Sequence, residues 1–395
     1  MQVADIVIVG AGANGLSTAF HLARAKAGKI VVVERRHLGA GATGKSGALV
    51  RTNYANEPET RLALESMNYF KHWDDLVGGD CGYQPIGLLF FTRPEHATHL
   101  EANIALHRKL GINTHIISPD EALALDPSLS LADVTHVGYE PESGFADPNA
   151  TIYSFARAAQ DTGVELQLNT EVTRILVEGQ RVTGVETSNG IIQAPTVVIV
   201  AGAWANNLFA PLHIDLGLTP RRAKVVVFRW SYERTPQHLT YLDRINLMWA
   251  RPIDDNCTLV GVDLEHFFEA REPDTYPEAV EQAYIDVCRE QLAKRFPAMR
   301  HSTMRGNWAC MLMQSPDGHP MIGSLPQYTG LFCMAGDSGT SFKTSPAIGK
   351  CLGELITEGQ ATTVDLTPFR PSRFSEGAPW HDDFDYGNHP ITISR

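Results

Sequence analysis

The sequence predicts an α/β chain in which a Rossmann-like dinucleotide-binding domain is joined to a second, sheet-rich domain. Three observations carry this. A βαβ opening with a glycine fingerprint at its strand-to-helix turn occupies residues 4–33. Alternating strands run from about 164 to 200 and again through most of 220–322. Strand, loop and helix texture then returns at 330–346. At 395 residues the chain exceeds what one hydrophobic core usually fills, which fits two domains.

Taken in order, Ala4 to Val9 reads as a buried strand, followed by an apolar-periodic helix to about Ala27 and a second strand from Ile30 to Val33. Glu57 to Leu76 has helical periodicity, and Gly82 to Thr92 reads as strand. Ser118-Pro-Asp-Glu121 is a capping box with proline at the first helical position. Asp147-Pro148 opens another helix in the same way, and Gly163 is placed to end it. Strands follow at 164–168, 172–177 and 181–187, an Asn189-Gly190 turn leads into 191–194, and a buried strand spans Thr196 to Val200. One helix, Pro277 to Arg295, interrupts the later strands. Gly330 to Met334 reads as strand, Ser345 and Pro346 open a helix, and the tail from about Gly377 reads as peripheral.

The bulk numbers exclude several classes. With 43% hydrophobic and 20% charged residues, the composition is that of a globular protein. A net charge of -12 argues against nucleic acid or an anionic membrane as the main partner. The longest apolar runs, such as Val197 to Ala205, fall far short of the roughly 20 residues that span a bilayer, so no membrane span is expected. The N-terminus runs straight into a strand without the features of a secretory signal, and the six cysteines lie apart with no CxxC spacing. Both point to a cytoplasmic protein with reduced thiols and no zinc site.

Gly10, Gly12 and Gly15 stand between strand and helix, where glycine allows a tight turn, close approach of backbone to a pyrophosphate, and close helix packing. Ala11 and Asn14 complete that turn. Glu34 ends the second strand at the offset where a carboxylate accepts ribose hydroxyls; the following Arg35 and Arg36 by themselves would suggest NADP. A nicotinamide domain would continue βαβαβ, whereas here a glycine-rich segment from Gly39 to Arg51 follows at once, including Gly41, Ala42, Thr43, Ser46, Gly47, Ala48 and Leu49. This points to flavin.

With these motifs, the late strand "TVVIVAGAWA" holding Ala201, Gly202 and Trp204, and the loop "AGDSGTSFKTSPAIG", the chain resembles the D-amino-acid-oxidase and sarcosine-oxidase superfamily of FAD enzymes from residue 4 to about 370. Monomeric sarcosine oxidase, N-methyl amino acid oxidases and sarcosine oxidase β-subunit-like proteins are the most similar members. The resemblance implies a discontinuous FAD-binding domain (1–80, 140–218 and 323–372), a mixed or antiparallel-sheet substrate domain (81–139 and 219–322), and a C-terminal tail (373–395). It implies oxidation of the C–N bond of an amino acid, an N-alkyl or cyclic secondary one first, with hydride passing to flavin N5 and an imine hydrolysed by water. A primary D-amino acid or glycine is the alternative substrate. Oxygen or another acceptor would take the electrons.

The same resemblance places the site residues. Gly336, Gly339, Thr340, Ser341 and Phe342 would line the flavin, with Lys343 and the neighbouring amides supplying positive charge near its N1 and O2. Arg51, in "LVRTNY", would bind the substrate carboxylate together with Lys343; a surface ion pair is the plainer reading. Val172 would bracket the adenine through its backbone. Three positions depart from the sarcosine oxidases: Ala48 stands where they have a second arginine, Leu259 where they have an oxygen-activating lysine, and Asp263 where they have a histidine near the amine. Losing the lysine makes a dehydrogenase a serious competitor. Asp263 either faces the pocket, as a third candidate catalytic residue, or is an ordinary strand-end aspartate. The early loop offers Lys45 and no histidine for a histidyl flavin link. Cys310, six residues before Pro316, keeps the spacing of a cysteine that bonds to the flavin 8α carbon; simple packing is the competing reading.

Overall fold

In a computed structural model, which describes residues 2–233, 237–254, 256–267, 269–382 and 384–386, the apolar run Ile6–Val9 is buried at every position. It lies inside a six-stranded sheet ordered Met321–Ser324, Leu331–Ala335, Thr196–Ile199, Ile6–Val9, Ile30–Val33 and Glu165–Gln167. All neighbours but the first pair are parallel, and parallel strands covered on both faces require such unbroken apolar runs. The fingerprint helix Ala13–Arg24 covers one face and packs against Ser345–Glu358. There Gly349 is required, because a Cβ would lie 2.2 Å from Ser17 Oγ. A four-stranded sheet of Gln2–Val3, Gly190–Gln193, Arg181–Thr187 and Val172–Glu178 stands beside it.

The second sheet has nine strands, mostly antiparallel, with one parallel pair between Thr240–Asp243 and Leu88–Phe91. Its long strand Thr219–Arg229 runs the length of Thr303–Gln314. Alternation divides the strand's side chains between two clusters: Val225 and Val227 pack with Leu242, Trp249 and Leu259, whereas Val226 and Phe228 pack with Tyr284, Cys288 and Leu292 of the helix Gln282–Arg295.

Several local expectations hold at the atomic level. Ser118 Oγ accepts from the Glu121 N–H, and Glu121 returns the bond to the Ser118 N–H. Asp147 caps Pro148–Asp161 by accepting from the Asn149 and Ala150 N–H groups. Gly163, with φ +95°, follows that helix. None of the six cysteines forms a disulfide among the described residues, and no helix among these residues is long and apolar enough to cross a membrane.

Other expectations are corrected. The helix expected over Glu57 to Leu76 breaks at His72 (φ -126°, ψ 37°), giving Glu57–Lys71 and Trp73–Leu76. The strand expected from Gly82 begins only at Leu88, because Gly87 turns the chain at φ +91°. The helix expected from Pro277 starts at Gln282, after an extended Glu281. From Gly377 the described tail is mostly exposed, as expected, but it and the segment before it are anchored at three points. The Arg373 guanidinium is fully buried against Asp317, Trp380 stacks on His319 with centroids 3.9 Å apart, and the Tyr386 hydroxyl accepts from Asn103.

Candidate active site

The fingerprint turn is shaped by what surrounds it. Gly10 has φ +113°, and a Cβ there would lie 2.4 Å from the Val200 carbonyl oxygen; a Cβ on Gly15 would lie 2.0 Å from the Gly10 carbonyl oxygen. These contacts bring the helix start against the strand. The Ala13 N–H donates to Thr43 Oγ1 at 3.2 Å, and no acidic residue occupies the helix's first turn, so its dipole is not neutralised there and favours an anion. Glu34 is held from two sides, accepting from the Ala11 N–H at 3.0 Å and the Arg36 N–H at 2.9 Å. Arg35 pairs with Asp274 at 2.9 Å and lies over the Trp204 ring.

Two adjoining pockets open to solvent, enclosing about 1180 and 1060 Å³ including their mouths, run from this turn to the nine-stranded sheet. They share walls at Asn14, Thr43, Leu312, Asp337 and Ser341, so together they form one trough. Gly10, Gly12, Glu34, Arg35, Gly41, Val172, Ala201, Gly202, Trp204 and Gly336 line the first part. Ala42, like Asn14, Thr43 and Ser341, lines both. Ser46, Gly47, Ala48, Leu49, Arg51, Asp263, Cys310, Gly339, Thr340, Phe342 and Lys343 line the second. Two expected residues line neither: Gly15 is used in helix packing, and Ala11 acts through its N–H on Glu34.

Arg51 and Lys343 come together at the far end. The Arg51 guanidinium carbon and Lys343 Nζ each lie 4.9 Å from the centre of the Tyr54 ring. Both cations are buried. Lys343 Nζ donates to the Thr340 carbonyl at 2.9 Å, and Arg51 donates to the Asn53 carbonyl. Burial, and then the Arg51 charge, hold the Lys343 ammonium well below the usual lysine range. Burial also lowers Arg51, with Tyr54 and Glu140 opposing. Two desolvated like charges facing one cavity are relieved by an anion placed between them. Asp263 lines the same cavity, 3% exposed, rather than lying free at a strand end.

Several residues at or beside the trough escaped the sequence reading. Tyr54 joins the two cations, yet in the sequence it is only an aromatic three residues after Arg51. Trp249 fills space left by two glycines, since a Cβ on Gly47 or Gly261 would come within 2.3 or 2.5 Å of its ring. Asp337 sits in the loop already singled out. Its buried carboxyl is raised by burial and accepts from Ser341 Oγ at 2.6 Å, and Ser341 in turn accepts from Asn14. Cys310 pairs in register with Ala223 on the cavity wall, and burial pushes its thiol up to about 12. One group of described side chains has metal-ligating atoms close together, Glu59, His319 and Asp382. His319 Nδ1 hydrogen-bonds Glu59 at 2.9 Å and Nε2 lies 3.6 Å from Asp382, with one ligand atom of each residue within 4.8 Å of the others.

The residues present fit an extended flavin dinucleotide. The glycine cradle excludes any Cβ at Gly10 and Gly15, Glu34 is oriented at the ribose position, and the buried Asn14 Oδ1 is left without a partner in the trough wall. Fold and trough therefore define a dinucleotide-dependent oxidoreductase with a buried cationic end. The chain belongs to the DAO family of FAD-dependent oxidoreductases, whose model matches residues 5–355. It is 25% identical over 381 residues to the sarcosine oxidase subunit beta of Rhodobacter capsulatus, covering 94% of this chain and 89% of that protein. It is 27% identical over 375 residues to the glycine oxidase of Pseudomonas aeruginosa, covering 93% and 98%. Among solved structures, L-proline dehydrogenase from P. horikoshii superposes with a TM-score of 0.88 at 26% identity, covering 95% of this chain and 99% of that one.

Proposed function

We propose that this enzyme oxidises the C–N bond of an amino acid, an N-alkyl or cyclic secondary amino acid in the first place, to an imine that water hydrolyses. The carrying observation is the convergence of Arg51 and Lys343 on the Tyr54 ring at the end of the trough. Arg51 and Lys343 bind the substrate carboxylate, the planar guanidinium fixing its orientation. Asp263 takes the amine. FAD, when bound, supplies the hydride acceptor. The Gly339–Phe342 loop and Lys343 would hold positive potential on that side of the cavity. The apolar wall of Val225, Leu242 and Trp249 excludes water from the reacting carbon. Residues 1–80, 140–218 and 323–372 would carry the FAD and 81–139 with 219–322 would cover the substrate, a division that follows the separate six- and nine-stranded sheets except where its bounds cut the strands Met321–Ser324 and Val137–Glu140.

Leu259 favours an electron acceptor other than oxygen. It is fully buried in the apolar cluster with Val225 and Trp249, so this position brings no charge to the cavity. The six free thiols support a reducing, cytoplasmic setting. Cys310 would bond to the flavin 8α carbon, a reading supported by its position on the wall of the same cavity as Lys45 and Leu312. Acid precipitation tests this, since flavin left wholly in the supernatant removes the link. For the reaction, the purified holoprotein is mixed anaerobically with N-methyl, cyclic and primary amino acids. Bleaching by secondary amino acids and an imine-derived product support the proposal; bleaching only by primary ones moves the substrate class to glycine or D-amino acids.

A further inference from the structure

The nine-stranded sheet has a gap beside this cavity. Thr219–Arg229 pairs with Cys257–Val262 only from Val226 to Arg229, and with Glu269–Ala270 only at Arg221 and Arg222. Among the described residues, 223–225 therefore have no strand partner on that edge. The Tyr284 hydroxyl takes the place of the missing ladder: it accepts from the Val262 N–H at 2.9 Å, and its proton lies between the carbonyls of Lys224 at 2.9 Å and Val262 at 3.1 Å. Strands held apart by a side chain leave an opening through the sheet.

Arg222 and Lys224 lie on the strand face that turns toward the helix Gln282–Arg295, with Val226 and Phe228, yet they line the same cavity as Arg51 and Lys343. Both side chains are almost fully buried, at 3% and 1% exposure. Arg222 is held by the carbonyls of Pro277 and Ala279 and by Glu281. Lys224 Nζ lies 5.3 Å from the Phe267 ring and 5.4 Å from the Tyr284 ring and also pairs with Glu281. One carboxylate, itself 37% exposed, thus serves two buried cations. Asp263, the other carboxylate at this end, is the group assigned above to the substrate amine. A second anion in the gap would complete the charge balance.

We propose that this gap is a subsite for a second anionic group, so that the substrate is an amino acid whose side chain or N-substituent ends in a carboxylate. Arg51 and Lys343 hold the carboxylate beside the reacting carbon. Lys224, backed by Arg222, holds the distant one, with Trp249 and Val262 lining the apolar span between. The inference rests on the proposed reading of the cavity, and its test separates the two.

Two probe pairs are used on the holoprotein: glutarate against its monoamide, read from the flavin absorbance as binding, and N-methylglutamate against N-methylglutamine, read as anaerobic flavin reduction. The expected preference for the acid is about tenfold or more, the size of one charge-assisted hydrogen bond. Lys224→Met removes the preference through Kd and KM rather than the limiting rate of reduction. Glu281→Gln, which frees the two cations, widens it. Equal binding of acid and amide by the wild-type protein overturns the subsite, as does a preference that survives in Lys224→Met or is unchanged in Glu281→Gln. If glutarate is preferred and Lys224→Met abolishes that while no amino acid bleaches the flavin, the subsite stands and the proposed reaction falls.

Discussion

In the proposed reading Arg51 and Lys343 hold the substrate carboxylate, and both were readable from short motifs in segments that line the trough. The residues joining them to the rest of the cavity were not. Tyr54 matters because two cations from distant loops meet over its ring, a contact with no local signature. Lys224 reads as one more charge on a strand until the sheet is seen to open beside it. Each cation is expected to contribute a charge-assisted interaction, so Arg51→Met or Lys343→Met lowers kcat/KM by about 10- to 100-fold, mainly through KM. Stopped-flow reduction against substrate concentration checks this. Burial and the neighbouring Arg51 charge make the Lys343 ammonium lose its proton well below the usual lysine range. Its charge is therefore present at low pH and lost as pH rises through that lowered value, so kcat/KM falls on the alkaline side. A pH profile in which Lys343→Met retains the same alkaline limb would assign that limb to the substrate amine instead.

Elements with a strong local cause were the most readable. The βαβ fingerprint, the capping box at Ser118 and the Asp147 cap all follow from backbone groups that need a partner within a few residues. Failures came where tertiary contacts decide. Helical periodicity continues through His72, but the backbone there is not helical. The segment before Gln282 carries helix-compatible residues yet runs through turns and bends, with Asp274 pairing with Arg35, Glu278 with Lys45 and Glu281 with Arg222. At the fingerprint itself the steric demand is severe enough to predict an outcome. Gly15→Ala places a Cβ 2.0 Å from the Gly10 carbonyl oxygen, so the helix must move from the pyrophosphate position. The variant is expected to purify with little or no flavin while keeping its far-UV circular dichroism. Full flavin occupancy by absorbance would show that the turn accommodates the methyl group.

At the scale of the whole molecule, the trough lies where two sheets built from interleaved stretches of chain meet, and the tail secures that junction from behind. Arg373, fully buried, forks onto Asp317 in the Pro-Asp-Gly turn that follows the Cys310 strand. Composition gives no hint of this, because an arginine in a polar tail is ordinarily solvated. Removing one partner leaves the other charge buried, so Arg373→Met is expected to destabilise the protein by about 3–5 kcal/mol in urea unfolding. A change under about 1 kcal/mol would make the pair no more than a surface-like contact. The central claim, that an amino acid is oxidised where Arg51 and Lys343 meet, is tested most directly by one measurement: anaerobic reduction of the bound flavin by a panel of secondary amino acids, in the wild-type protein and in Arg51→Met. Bleaching by at least one secondary amino acid, with a half-saturating concentration raised about tenfold or more in Arg51→Met, is the predicted result. Failure of every amino acid to bleach the flavin, or equal saturation in the two proteins, would contradict it.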